Sequence, residues 1–125
     1  MRVLLDTNVL LWALVDSPRI EPIRRLLLSS DTEVYISAAS FWEIAIKNSI
    51  GKLEASVKLV RQGALDSGFI ELPVNGIHTE TLETLPFHHK DPFDRIIVAQ
   101  AITEPMRLLT GDNTLAAYSE LVQLV

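Results

Sequence analysis

Cysteine does not occur in this 125-residue chain. No disulfide framework and no thiolate zinc site can be built, and the redox compartment makes no demand on the fold. An uninterrupted apolar run of about 18 residues, the length needed to span a bilayer, is also missing. The opening stretch MRVLLDTNVLLWALVD has a basic residue and an apolar run, but Asp6 and Asn8 interrupt it and no small-residue cleavage site follows. It reads as part of a soluble, unprocessed, cytoplasmic protein with no membrane association. Basic residues are in deficit: 11 Lys and Arg stand against 16 Asp and Glu, a net charge of −5. That balance argues against broad attachment to a phosphate backbone through a basic surface, so any nucleic-acid contact must be local or bridged by metal. Internal repeats, low-complexity tracts and flexible linkers are absent too.

What is present is apolar: 48% of the residues are hydrophobic, enough at this length for one ordinary core and so for a single domain over residues 1–125. Arg2 to Leu5 reads as a buried strand stopped by Asp6-Thr7-Asn8, with helix from Val9 to Val15. After Ser17-Pro18, the spacing of Ile20, Ile23, Leu26 and Leu27 predicts an amphipathic helix ending near Ser29-Ser30. Val34-Tyr35-Ile36 is a second strand. Ser40 and Glu43 have the spacing of a capping box, which opens a helix reaching Lys47 or Asn48 and closing at Gly51. Leu53 to Leu65 reads as helix, Gly68 as its punctuation, and Phe69 to Leu72 as a third strand ended by Pro73. Ile77 to Leu85 is a short helix. Asp91 then suits an N-cap and Pro92 a first helical position for a helix to about Thr103. Arg107 to Thr110, Thr114 to Ser119 and Leu121 to Val125 complete the pattern as strand, short helix and strand. The βα alternation predicts an α/β fold: three α/β/α layers around a parallel sheet of four to five strands.

Four acids occupy comparable places in that pattern. Asp6 follows the first strand, Glu43 opens the helix after the second, Asp94 opens the helix before the fourth, and Asp112 lies just beyond the fourth. In open parallel sheets such positions share the edge where ligands bind. Each acid taken singly has an ordinary explanation, because carboxylates are favoured at helix starts and turns. Together they are costly: two carboxylates about 5 Å apart repel by roughly 3 kcal/mol at an effective dielectric near 20. A cluster of three or four calls for a cation. All-oxygen donors suit magnesium or manganese, and with a phosphate as co-ligand such an ion orients water for displacement at phosphorus.

The landmarks Leu4-Leu5-Asp6-Thr7-Asn8, Ser37 to Lys47 around Glu43, His89-Lys90-Asp91-Pro92-Phe93-Asp94-Arg95 and Leu109-Thr110-Gly111-Asp112 together resemble the PIN-domain toxins of the VapC type, the ribonuclease halves of bacterial toxin–antitoxin pairs. The resemblance spans nearly the whole chain. It implies that Asp6, Asp94 and Asp112 hold Mg2+ or Mn2+ and that Glu43 completes the site directly or through water. It further implies an RNA substrate, homodimerisation, and inhibition by a cognate antitoxin.

Thr7 and Asn8 are positioned to brace Asp6, and Thr110 to brace Asp112, if they do more than turn and cap chemistry. Asp91 is read as the N-cap rather than a ligand. Adjacent histidines project differently, so His88 and His89 read as a solvated loop. Lys47, Lys90 and Arg95 read as a solvated face or as local positive charge; Trp12 and Trp42 read as core or dimer-interface residues. Three rivals stand beside ribonuclease. A structure-selective DNA nuclease normally needs extra elements to grip a duplex. A haloacid-dehalogenase-like phosphatase would want an aspartate where Asn8 stands. A non-enzymatic α/β interaction module would leave the acids as caps.

Overall fold

Near-continuous apolar runs have no solvent face, and the computed structural model, which describes all 125 residues, buries Val3, Leu4 and Leu5, and Leu108 and Leu109, completely. The strands β1 (Arg2–Leu5), β2 (Glu33–Ser37), β3 (Ile70–Leu72), β4 (Arg107–Thr110) and β5 (Val122–Leu124) form one sheet in the order β3-β2-β1-β4-β5. Every pairing is parallel. The helices are α1 (Thr7–Leu14), α2 (Arg24–Leu28), α3 (Ala38–Ser49), α4 (Val57–Asp66), α5 (Gly76–Thr84) and α6 (Pro92–Thr103), with 3₁₀ turns at Pro18–Ile23 and Asn113–Ala117.

β1 is the central strand, with Leu4 opposite Tyr35 on one side and Leu108 on the other. Strand alternation divides its side chains between two cores. Val3 and Leu5 join Val34, Ile36 and Leu109 beneath Val9, Leu10, Phe41 and Ile44. Leu4 and Leu108 face the opposite way, against Ala39 and the α6 residues Ile96 to Ala99. Successive strands run outward from β1 through β2 to β3, and the chain then returns to the other flank of β1 for β4 and β5. The strand order therefore reverses between β1 and β4, and the crevice at the carboxyl ends of those two strands is the topological switch point where open α/β sheets place ligands. No helix is long and apolar enough to cross a membrane.

Several local expectations change. The helix expected from Ile20 is two pieces, a 3₁₀ turn and the five-residue α2; Pro22 lies inside that turn, and a residue without an N–H cannot serve the α-helical ladder. α3 begins at Ala38 behind Ser37, whose hydroxyl accepts from the Ala39 N–H at 3.0 Å. Ser40 is thus not the cap, and Glu43 lies a turn further in than a capping-box partner. The helix expected from Leu53 starts only at Val57, because Lys52 and Leu53 both donate their N–H groups back to the Lys47 carbonyl and close the end of α3 instead. Gly51 and Gly68 take φ values of 76° and 82° at the ends of α3 and α4, a backbone region that glycine enters without steric cost. The short helix after Gly111 is a 3₁₀ turn.

Candidate active site

Asp6 leaves the end of β1 with its backbone N–H on the Leu109 carbonyl at 3.0 Å, so the sheet itself fixes its position. Its carboxylate is buried and used twice. Oδ1 accepts from the Val9 N–H at 2.8 Å as the N-cap of α1, and Oδ2 accepts from the Thr110 hydroxyl. Thr110 in turn accepts from the Asp112 N–H at 3.0 Å. One hydroxyl at the end of β4 thus links two of the acids, the Asp6 carboxylate and the Asp112 backbone.

Glu43 is 5% exposed in the second turn of α3. Its Oε1 accepts from the Thr7 hydroxyl at 2.7 Å and its Oε2 from Lys47 Nζ at 2.5 Å. Thr7 Oγ1 also lies 3.0 Å from Ser40 Oγ. Thr7 therefore braces Glu43 rather than Asp6. Asn8 braces neither; it is exposed and lines a cavity beside Asp112.

Asp94 sits in the first turn of α6, whose N-cap is Asp91: Asp91 Oδ1 accepts from the Phe93 and Asp94 N–H groups at 2.8 and 3.1 Å. Asp112 caps the following 3₁₀ turn, with Oδ1 accepting from the Thr114 N–H and hydroxyl at 2.9 and 2.7 Å. Asp6 and Asp94 both sense neighbouring acids electrostatically. Burial raises the Asp94 pKa to about 7, and Asp91, Asp6 and Glu43 add to the shift. Burial likewise raises Asp6, with Glu43 and Asp112 contributing against the hydrogen bonds from Thr110 and Val9. Asp112 moves the other way: burial opposes its ionisation, but the Thr114 and His89 hydrogen bonds outweigh that and hold it below the usual carboxylate range.

His89 is the residue that the sequence reading set aside. Its Nε2 lies 2.9 Å from Asp112 Oδ2 and 3.6 Å from Asp94 Oδ2, and ligand atoms of the three side chains fall within 4.8 Å of one another. Adjacent histidines do project apart: His88 is exposed and meets Tyr118 edge-on at 5.0 Å, and His89 turns inward. The inward turn is fixed locally, since His89 Nδ1 accepts from the Asp91 N–H at 3.0 Å. With Nδ1 an acceptor, the neutral ring carries its proton on Nε2 and donates it to Asp112. In that tautomer the imidazole is a proton donor facing the acids, and the donor set toward a cation is carboxylate oxygen, which fits a hard divalent ion.

The remaining candidates separate clearly. Lys47 is tied to Glu43, and its pKa rises mainly through that hydrogen bond. Arg95 is buried, with its guanidinium donating to the Pro86 carbonyl and Tyr118 hydroxyl at 3.0 and 3.1 Å, so it anchors the segment leading into α6. Lys90 is exposed. Trp12 is half-buried under the Arg19 guanidinium, 3.9 Å from the ring centroid. Trp42 is not a core residue: it is 62% exposed, packs edge-on against Phe93 at 5.0 Å, and lines an apolar cavity of about 640 Å³ between α3, α5 and α6.

The fold agrees with that of solved proteins. VapBC2 from Rickettsia felis, bound to a DNA fragment from its promoter, superposes with a TM-score of 0.76 at 18% identity, covering 100% of this chain and 98% of that one. A toxin–antitoxin complex from Klebsiella pneumoniae gives a TM-score of 0.67 at 23% identity, covering 97% and 95% of the two chains. VapBC-1 from nontypeable Haemophilus influenzae gives 0.66 at 18% identity, covering 100% and 97%. At these identities the likeness is one of fold. No curated protein matches the sequence significantly. The PIN domain family model matches residues 3–121, nearly the whole chain, from β1 to the residue before β5. With its four acids gathered at the switch point of a five-stranded parallel sheet, this chain belongs to the PIN-domain family.

Proposed function

We propose that the protein is a metal-dependent endoribonuclease and the toxin of a toxin–antitoxin pair, acting in the cytoplasm as a homodimer. The observation that carries the reading is the convergence of Asp6, Glu43, Asp94 and Asp112 on one crevice, where burial first, and then the charges of Asp91, Asp6 and Glu43, raise the Asp94 pKa to about 7. Carboxylates gathered at such electrostatic cost favour a cation. Asp94 and Asp112 offer the more open oxygens, and Asp6 and Glu43 stand behind them as buried charge, braced by Thr110 and Thr7. Mg2+ or Mn2+ bound there would supply a polarised water and a counter-charge for the phosphate. The residues would do the rest. The acids would hold that ion, His89 Nε2–H would keep the Asp112 carboxylate oriented, and Lys47 would hold the Glu43 side chain in place. No side chain in the crevice is a cysteine or an activated serine, so no covalent enzyme intermediate is invoked.

The antitoxin partner is supported by the toxin–antitoxin complexes among the structural relatives. The homodimer is supported by the exposed Trp42 and its apolar cavity. The test is cleavage of RNA and of single- and double-stranded DNA by the purified chain with Mn2+, Mg2+ or EDTA. Metal-dependent RNA cleavage that falls at least about 100-fold in both Asp6→Asn and Asp94→Asn is expected. Equal activity of those variants overturns the reading, and cleavage of DNA alone replaces it with the DNA-nuclease alternative.

A further inference from the structure

A cavity adjoins the acids on the outer side of Asp112. Asn8, Trp12, Arg19, Gly111, Asp112 and Asn113 line this cavity of about 450 Å³, and none of the other three cavities includes any of the four acids. Its volume falls in the range of small-ligand sites. The corner is tightly built. The benzo edge of Trp12 lies so close to Gly111 that a Cβ there would come within 2.5 Å of Cη2, so only glycine admits the indole against the turn that presents Asp112. The Arg19 guanidinium then stacks 3.9 Å from the ring centroid.

Arg19 also differs from most other arginines in what it does with its charge. Arg24 pairs with Asp16 and Glu21, and Arg61 with Glu71; Arg2, Arg95 and Arg107 donate to carbonyl, hydroxyl or amide oxygens. Arg19 has its backbone N–H on Ser17 Oγ and no side-chain hydrogen bond or carboxylate partner. In a chain of net charge −5, one guanidinium is thus oriented by an aromatic face, left unneutralised, and set at the rim of the acidic crevice. Exposed Asn8 and Asn113 bring amide donors and acceptors to the same cavity.

We propose that this cavity is a substrate subsite adjoining the acid cluster, in which Arg19 receives a backbone phosphate next to the scissile one and the two asparagines meet the attached nucleotide. The inference rests on the nuclease reading above. A phosphodiester suits the corner better than an acidic peptide, because it offers an anionic oxygen to Arg19 together with sugar and base groups for the amides, and it runs on into the crevice at Asp112. Arg in preference to Lys follows from the planar guanidinium, which stacks on the indole and still presents a fork of donors to phosphate.

The experiment measures binding of fluorescein-labelled, mixed-sequence single-stranded RNA of about 15 nucleotides by anisotropy in Ca2+ over a series of salt concentrations. The full-length wild type is compared with Arg19→Gln, Arg19→Lys and, as a control on α2 outside the cavity, Arg25→Gln. Arg19→Gln should weaken binding about tenfold and reduce the slope of log K against log salt by about 0.7, the share of one phosphate contact on a single strand. Arg19→Lys should restore the slope without the full affinity, and Arg25→Gln should match the wild type. An unchanged slope in Arg19→Gln at unchanged melting temperature, or an equal loss in Arg25→Gln, overturns the subsite alone. Loss of binding to polyglutamate with RNA binding intact overturns it in favour of an acidic protein partner. A wild type that binds no RNA overturns both the subsite and the ribonuclease reading.

Discussion

The Thr7 hydroxyl donates to Glu43 Oε1 at 2.7 Å, joining the first residue of α1 to the second turn of α3. A carboxylate 5% exposed and far from a helix end has no capping role, and this bond is one of the two that hold it. Thr7→Val keeps the shape and removes the donor, leaving a buried carboxylate oxygen short of a partner at a cost of about 1–3 kcal/mol. Urea denaturation should show that loss. In the Thr7→Val/Glu43→Gln double variant the two effects should fall short of their sum, as expected for residues in contact.

Asp94 predicts an unusual pH dependence of stability. Its pKa in the folded protein, about 7, stands above the ordinary 3.8, so between those values the folded state binds the proton more tightly than the unfolded state does. The stability this contributes is complete below about pH 4 and is lost as pH rises through 7. Metal-free wild type should therefore lose melting temperature between pH 5 and 8, and Asp94→Asn should lose less over the same interval. A steeper decline in the variant contradicts the assignment.

Metal addition should reverse that loss. A ligand that binds only the folded state at about 100 times its Kd stabilises by about 2.7 kcal/mol. A thermal-shift titration with Mn2+ at pH 7.5 should raise the melting temperature of the wild type and leave the Asp6→Asn/Asp94→Asn double variant unmoved. Chelation with EDTA should return the wild type to its starting value.

His89 is expected to act through Asp112. Removing the hydrogen-bond partner of a metal-binding group typically weakens metal affinity by about 10- to 100-fold. His89→Ala should show a loss of that size in calorimetric Mn2+ titration, whereas His88→Ala, on the exposed ring, should not.

Gly111→Ala places a methyl carbon 2.5 Å from Trp12 Cη2. Overpacking of this kind costs about 1–3 kcal/mol, and the denaturation midpoint should fall accordingly. Trp12→Leu, which retracts the aromatic edge, should recover part of the loss when combined with it.

The outline of this molecule was legible because its strands are apolar runs with acids at their ends. Asp6 and Asp112 follow β1 and β4, and Asp94 starts α6, so placing those elements in one parallel sheet already converges three of the four. Glu43 was harder. Ser40 and Glu43 imitate a capping box, and only the early start of α3 behind Ser37 shows that the imitation is accidental. His89 was missed because doubling with His88 suggested solvent exposure; the usable signal was its place two residues before an N-cap, where an imidazole can accept the Asp91 N–H. Arg19 carried no motif at all. Its setting depends on Trp12 and Gly111, which are brought together only by the sheet.

The pairing of β1 with β4 sets Val3 opposite Arg107 and Leu5 opposite Leu109. The first strand therefore waits for a partner far along the chain, Asp6 and Thr110 being 104 residues apart. Until β4 has left the ribosome, Asp6 lacks both the Leu109 carbonyl and the Thr110 hydroxyl that fix it, and Asp112 has not been delivered. Contacts this distant in sequence are also entropically costly to close and slow to form. A chain cut short of β4 thus carries Asp6 without the neighbours that hold it, so the crevice takes shape only after both strands have been made.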